Sequence, residues 1–259
     1  MGFARGISTT KPNVISVDSL VRLAADVSDC RQCPRLVAWR ELVADEKRAS
    51  YRDDTYWGRG VPGFGDPAAS VLVLGLAPAA HGANRTGRVF TGDRSGDWLF
   101  RSMHTTGFAN QPASTSVDDG LELRGAWVTA AVKCAPPDNT PLPDERDTCR
   151  PFVRRELALL PGLRVIVCLG GFAYQAACQE FGVRPRPRFG HLVEAPTPDG
   201  RTLLCSFHPS QQNTFTKRLT EPMLDAVFVR AAELAGLSAP AAPAPARRAA
   251  RAPRAPRPR

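Results

Sequence analysis

A chain of 259 residues, 43% of them apolar, is long enough to bury one substantial core and is of ordinary size for a single α/β domain. Its formal charge is +9, but Arg247, Arg248, Arg251, Arg254, Arg257 and Arg259 crowd the last 21 residues and leave +3 for the rest, so the body favours a polyanionic partner only mildly. No run approaches the roughly 18 apolar residues of a membrane span and no basic-then-apolar leader is seen, which predicts a soluble, cytoplasmic protein; seven cysteines, in a reducing compartment, argue against a disulfide framework and leave metal binding or plain burial.

Residues 1–17 read as an irregular N-terminal extension and residues 18–238 as the folded domain. Within it, continuous apolar runs predict strands at Val71–Leu76, Ala126–Val132, Val165–Leu169 and Thr202–Phe207, runs of a kind that suits a sheet buried on both faces. Helical patterns fall at Asp93–Thr106, Pro143–Leu160, Gly171–Phe181 and Thr220–Leu237, between or after those strands. The alternation predicts a three-layer α/β/α domain around a mostly parallel four-stranded sheet. Ligands of such folds bind at the carboxyl ends of the strands, so the loops after Leu76, Val132, Leu169 and Phe207 are where chemistry is expected. Residues 239–259, nearly all Ala, Pro and Arg, are read as a disordered basic tail that cannot offset its ordering entropy. Such a tail either attracts phosphates in a salt-dependent way or is only a solvated extension.

Cys30 and Cys33 form a C-x2-C pair followed by Pro34, and Cys134 and Cys149 lie about one hundred residues later. Two thiols on one short turn and two from a loop and the helix after it make a four-thiolate metal site. Spacing alone leaves Zn²⁺ and an iron–sulfur cluster both open. Cys168, Cys178 and Cys205 sit in a strand, a helix and a strand and are read as small buried hydrophobes.

The run GLAPAAHGANRTGRVFTGDRSG, Gly75 to Gly96, leaves the first strand as a glycine-rich loop ending at a helix start. Its glycines let backbone approach a ligand closely. Gly75, Leu76 and Ala77 open the loop and Phe90 is placed to stack on a planar ligand or to anchor the loop; Asp93 is either a reactive carboxylate or a simple helix cap. Arg85 and Arg88 suit phosphates or are solvated charges. The second motif is HPS, His208–Ser210, directly after the last strand, with its histidine facing the ligand crevice. Asn139 of CAPPDN adds an amide on the loop that follows Cys134, so a metal site there would brace the crevice.

Together GLAPAAHGANRTGRVFTGD, VKCAPPDNTP and HPS resemble the family 5, or type B, uracil-DNA glycosylases of bacteria and archaea, over Cys30 to about Leu237. The resemblance implies a uracil-DNA glycosylase-like fold and a [4Fe–4S] cluster on Cys30, Cys33, Cys134 and Cys149; it, rather than geometry, selects iron. It also implies hydrolysis of the N-glycosidic bond of uracil, hypoxanthine, xanthine and etheno-cytosine in double-stranded DNA, by a monomer that starts base excision repair. Where the superfamily commonly carries an acidic or amide side chain, this chain has Ala77, the family 5 departure, which moves the burden onto Asp93. In that scheme Phe90 stacks on a flipped base, His208 donates to a base oxygen, Asp93 orients water and Asn139 bonds base or water, with Gln211 to Thr214 placed to fill the vacated space. QQNTFTKRLT lacks the histidine-bearing loop of a related cross-linking branch, so water is the expected acceptor. A non-catalytic damaged-DNA or single-strand-binding module and a hydrolase of free nucleosides are the competing readings.

Overall fold

A parallel strand with no polar alternation needs cover on both faces, and the computed structural model of this chain, which describes residues 18–237, supplies it. The elements in order are α1 (Leu20–Asp29), α2 (Pro34–Glu46), β1 (Phe64–Gly65), β2 (Val71–Gly75), α3 (Ala83–Thr86), α4 (Arg94–Thr105), β3 (Ala126–Ala130), α5 (Pro143–Leu159), β4 (Val165–Leu169), α6 (Gly171–Phe181), β5 (Glu194–Pro196), β6 (Thr202–Ser206), α7 (Gln211–Phe215) and α8 (Glu221–Ala235). Every residue of β2, β3 and β4 is buried. Alternate residues part to opposite faces: Val71, Val73, Val165 and Val167 pack with Leu99 and Phe100 of α4 and Val227 and Phe228 of α8. Leu72, Leu74, Ile166 and Cys168 pack with Ala173, Tyr174 and Ala177 of α6. The result is the expected three-layer α/β/α domain.

The sheet has six strands rather than the expected four, in the order β1-β3-β2-β4-β6-β5. The parallel centre is the predicted set, whereas β1 and β5 pair antiparallel at the two edges. These edges hold two and three residues, too short to leave an apolar period. From β2 the chain adds β3 on one side and then β4 and β6 on the other. The loops leaving β2 and β4 therefore diverge at the carboxyl edge and open a crevice there, as at other topological switch points.

The extension 1–17 and the tail 239–259 lie outside the described residues. Within those residues no helix is long and apolar enough to cross a membrane.

Candidate active site

The loop that leaves β2 is shaped by close approaches that only glycine allows. A Cβ at Gly75 would stand 2.7 Å from Phe90 Cζ, and one at Gly96 would stand 1.8 Å from the Phe90 carbonyl oxygen. Phe90 is thus clamped between the end of β2 and the first turn of α4, in a left-handed conformation (φ 55°) that a bulky residue adopts only under such constraint. Its ring lies 6.0 Å from the His208 ring at an interplanar angle of 34°. A crevice of about 790 Å³ opens beside the two rings, and Leu76, Ala77, Phe90, Asp93, Asn139 and His208 all line it. Gly75 lies beneath the Phe90 ring rather than on the wall. Six of the seven crevice residues expected from sequence therefore converge, from three separate loops.

Asp93 is the N-cap of α4 and accepts from the Gly96 N–H at 3.0 Å. Its other carboxylate oxygen faces Gly82, where a Cβ would come within 2.1 Å. Capping and crevice exposure thus belong to the same side chain. Desolvation pushes its carboxyl above the ordinary value of 3.8; the N–H groups of Gly96 and Ser95 and the Arg85 charge oppose the rise, while Asp97 adds to it. Burial pushes His208 down to about 4, so its imidazole is neutral at neutral pH. Its backbone is held by Asn213 Nδ2, which donates to the His208 carbonyl at 2.9 Å. Gly170, at φ 89°, a conformation that favours glycine, passes close behind, and a Cβ there would stand 3.3 Å from His208 Cβ. Asn139 follows Asp138 with both in the left-handed region (φ 53° and 52°), which their short polar side chains tolerate, and it sits exposed at the rim.

Two arginines differ from the phosphate-binding option. Arg85 stacks over the Tyr51 ring at 4.0 Å and pairs with Asp54 at 2.7 Å. Arg88 is buried, pairing with Asp119 at 2.7 Å and donating to Ser114 at 2.7 Å. Both knit the loop together. Arg48 and Arg94 are the exposed cations on the crevice wall instead. Gln211 and Gln212 also line the wall, in the short α7 capped by Ser210.

A second histidine was missed. His81 lines the same crevice, and its Nδ1 lies 3.0 Å from the Tyr56 hydroxyl. The Arg48 N–H donates to that hydroxyl at 3.4 Å. The signal was present, since His81 stands inside the quoted loop motif; Tyr56, in an irregular stretch, carried none.

Behind the crevice loop lie the cysteines. Cys30 ends α1, and Cys33 is the N-cap of α2 with Pro34 at its first position. Cys134 follows β3, and Cys149 is buried in α5. Burial first, then the neighbouring Cys134 and Cys30, push the Cys33 thiol up to about 11. Cys149 rises to about 12 by burial, with Lys133 opposing and Cys134 and Cys30 adding. The Lys133 N–H donates to Cys149 Sγ at 3.2 Å, while the Lys133 ammonium is buried against Glu156 of α5 at 2.8 Å. That ion pair pins β3 to α5 where two of the thiols emerge. Among the described residues no three Cys, His, Asp or Glu side chains are gathered tightly enough to hold a single metal ion. The four thiols are close enough to act on one another's ionisation. Ala77 packs against Cys134, Leu36 and Val132, so crevice and thiols share one apolar layer. Cys168, Cys178 and Cys205 are buried, at 0%, 4% and 0% exposure, in the helix–sheet core as expected.

A clamped aromatic ring, a neutral imidazole and a half-buried carboxylate thus meet at the carboxyl edge of the sheet of an α/β/α domain. The family model of the uracil DNA glycosylase superfamily matches residues 62–231. The chain is 53% identical to the type-5 uracil-DNA glycosylase of Mycobacterium bovis, over 85% of this chain and 83% of that one. It is 52% identical to that of Thermus thermophilus, over 80% of this chain and 94% of the other. A type-4 uracil-DNA glycosylase of Archaeoglobus fulgidus is 30% identical over 52% of this chain and 59% of its own length. The chain belongs to the uracil-DNA glycosylase superfamily, in its type-5 branch.

Proposed function

We propose that this protein hydrolyses the N-glycosidic bond between deoxyribose and uracil in DNA, leaving an abasic site. The observation that carries the reading is the convergence of Phe90, Asp93 and His208 on one crevice, in a chain about half identical to type-5 uracil-DNA glycosylases over most of its length. A base inside a stacked duplex is out of reach, so the nucleotide is extruded at a cost of a few kcal/mol, least for a mismatched base. Phe90 stacks on the extruded base. His208, neutral because burial holds it near 4, donates a hydrogen bond to the base oxygen where negative charge gathers as the bond to the sugar breaks. Asp93 orients the attacking water and stabilises the positive charge on the sugar, the part that apolar Ala77 cannot play. Asn139, on the rim, hydrogen-bonds the base or the water. The resemblance to family 5 enzymes implies that the crevice also takes hypoxanthine, xanthine and etheno-cytosine from double-stranded DNA. The protein works as a monomer in the cytoplasm, and the tail adds salt-dependent attraction to phosphates.

The thiols Cys30, Cys33, Cys134 and Cys149 hold a [4Fe–4S] cluster. Their number and type suit iron–sulfur ligation, and the resemblance to family 5 enzymes, rather than geometry, selects iron over zinc. When bound it serves as a staple, because ligand binding energy there is also folding energy. The test is a panel of duplexes, each with one modified base, incubated with excess protein and assayed for abasic sites. Cleavage at uracil, extending to the other three bases, is expected; retention of the duplex with no base released would point instead to a damage-binding module.

A further inference from the structure

Arg40, on α2, is only 1% exposed and is the bulkiest fully buried side chain among the described residues. Its Nη1 donates to Cys134 Sγ at 2.9 Å and its Nη2 to the Cys30 carbonyl at 2.9 Å. The Nε has no partner; Glu41, next to it on α2, feels its charge but is paired with Arg31, and among the described residues no carboxylate forms an ion pair with the Arg40 guanidinium. Taking a cation out of water is costly unless an opposite charge meets it. A neutral thiol offers none; a thiolate does, and coordination keeps a buried thiolate ionised. The other buried cation nearby, Lys133, already has Glu156, which singles out Arg40.

Resting on the cysteine reading above, we propose that Arg40 is the counter-ion of the Cys134 thiolate in the loaded site and the tie that carries its order to the crevice. The second half follows from the backbone. The Arg40 carbonyl accepts from Asn84 Nδ2 at 3.1 Å, and Asn84 is wholly buried on α3. The α3 helix begins next to Gly82, whose close fit against Asp93 was described above. Arg40 touches neither substrate nor reacting atoms and is a positioning residue.

The experiment uses full-length, iron-loaded protein carrying Arg40→Met, Arg40→Lys, Cys134→Ser or Arg40→Met with Cys134→Ser. It reads iron per chain, the rate at which a ferrous chelator removes iron, and the urea midpoint. Arg40→Met is expected to release iron about 10–100-fold faster, the usual range for an outer-shell partner of a metal ligand, with Arg40→Lys between it and wild type. In the Cys134→Ser background the same change should leave iron retention unchanged and raise the urea midpoint, because the cation has lost its anion. If Arg40→Met lowers stability equally in both backgrounds, the guanidinium is packing material and the proposal is overturned. Wild-type protein free of iron would overturn the cysteine reading together with Arg40; iron-loaded wild type whose release is unaffected by Arg40→Met would overturn Arg40 alone.

Discussion

Substituting Asp93 separates chemistry from architecture, because one side chain does both. Its capping oxygen accepts from the Gly96 N–H at 3.0 Å, and an asparagine retains an acceptor there, whereas alanine does not. Asp93→Ala should cost about 1 kcal/mol of stability, the usual value of a lost N-cap. The carboxyl ionises above 3.8 in the folded protein. A group raised in this way contributes stability below its unfolded value and loses it as pH rises, so at neutral pH the charge of Asp93 is a cost. Asp93→Asn should therefore be at least as stable as wild type. If the carboxylate orients water, both substitutions should slow single-turnover excision from a uracil duplex by roughly 10²–10⁴-fold, the range for a positioned acid or base. The acid limb of the wild-type rate should also fall at a pH above 3.8. Urea unfolding and single-turnover assays on the three proteins give the two axes. An Asp93→Asn protein that excises uracil at nearly the wild-type rate would refute the reasoning and leave the work to His208, Asn139 and backbone dipoles.

Because burial holds His208 near 4, excision should show no inflection near pH 6.5, and His208→Ala should slow it most for the bases whose departing anion most needs stabilising. A depressed histidine contributes stability that is whole above 6.5 and is lost as pH falls towards 4, so the urea midpoints of wild type and His208→Ala should converge over that window; parallel curves would contradict the burial. Gly75→Ala would drive a methyl to 2.7 Å from the Phe90 ring. It should cost about 1–3 kcal/mol, as overpacking does, and weaken base binding, and a silent change would show that the ring is free to move. Cys134→Ser should lower iron content and thermal stability together, whereas Cys178→Ser should leave iron content intact; equal iron in both proteins would remove Cys134 from the ligand set.

The elements legible in the sequence are those whose burial is two-sided and long. The runs at Val71, Ala126, Val165 and Thr202 could only be central strands, and Pro143 and Gly171 open helices where the structure has them. The edge strands β1 and β5 were silent because two or three residues carry no period. Helices α1 and α2 were not expected: they flank the C-x2-C turn, whose cysteines end one helix and begin the next. In the crevice, Phe90, Asp93, Asn139 and His208 were legible because strand ends and glycine-rich loops mark them. Arg85 and Arg88 were not, because their fates depend on Asp54 and Asp119, partners 31 positions away in each case. Arg40 was equally mute: its sulfur partner is 94 residues distant, and only burial distinguishes it from a solvated charge.

Hydrolysis in this crevice frees uracil from deoxyribose and leaves an abasic site. The most direct measurement mixes excess wild-type protein with a duplex carrying one labelled uracil and follows, in a single turnover, both free uracil and strand breakage after alkali. One free uracil and one alkali-labile site are expected for each duplex, with neither from the same duplex carrying thymine. Tight binding to the uracil duplex with no uracil released would contradict it.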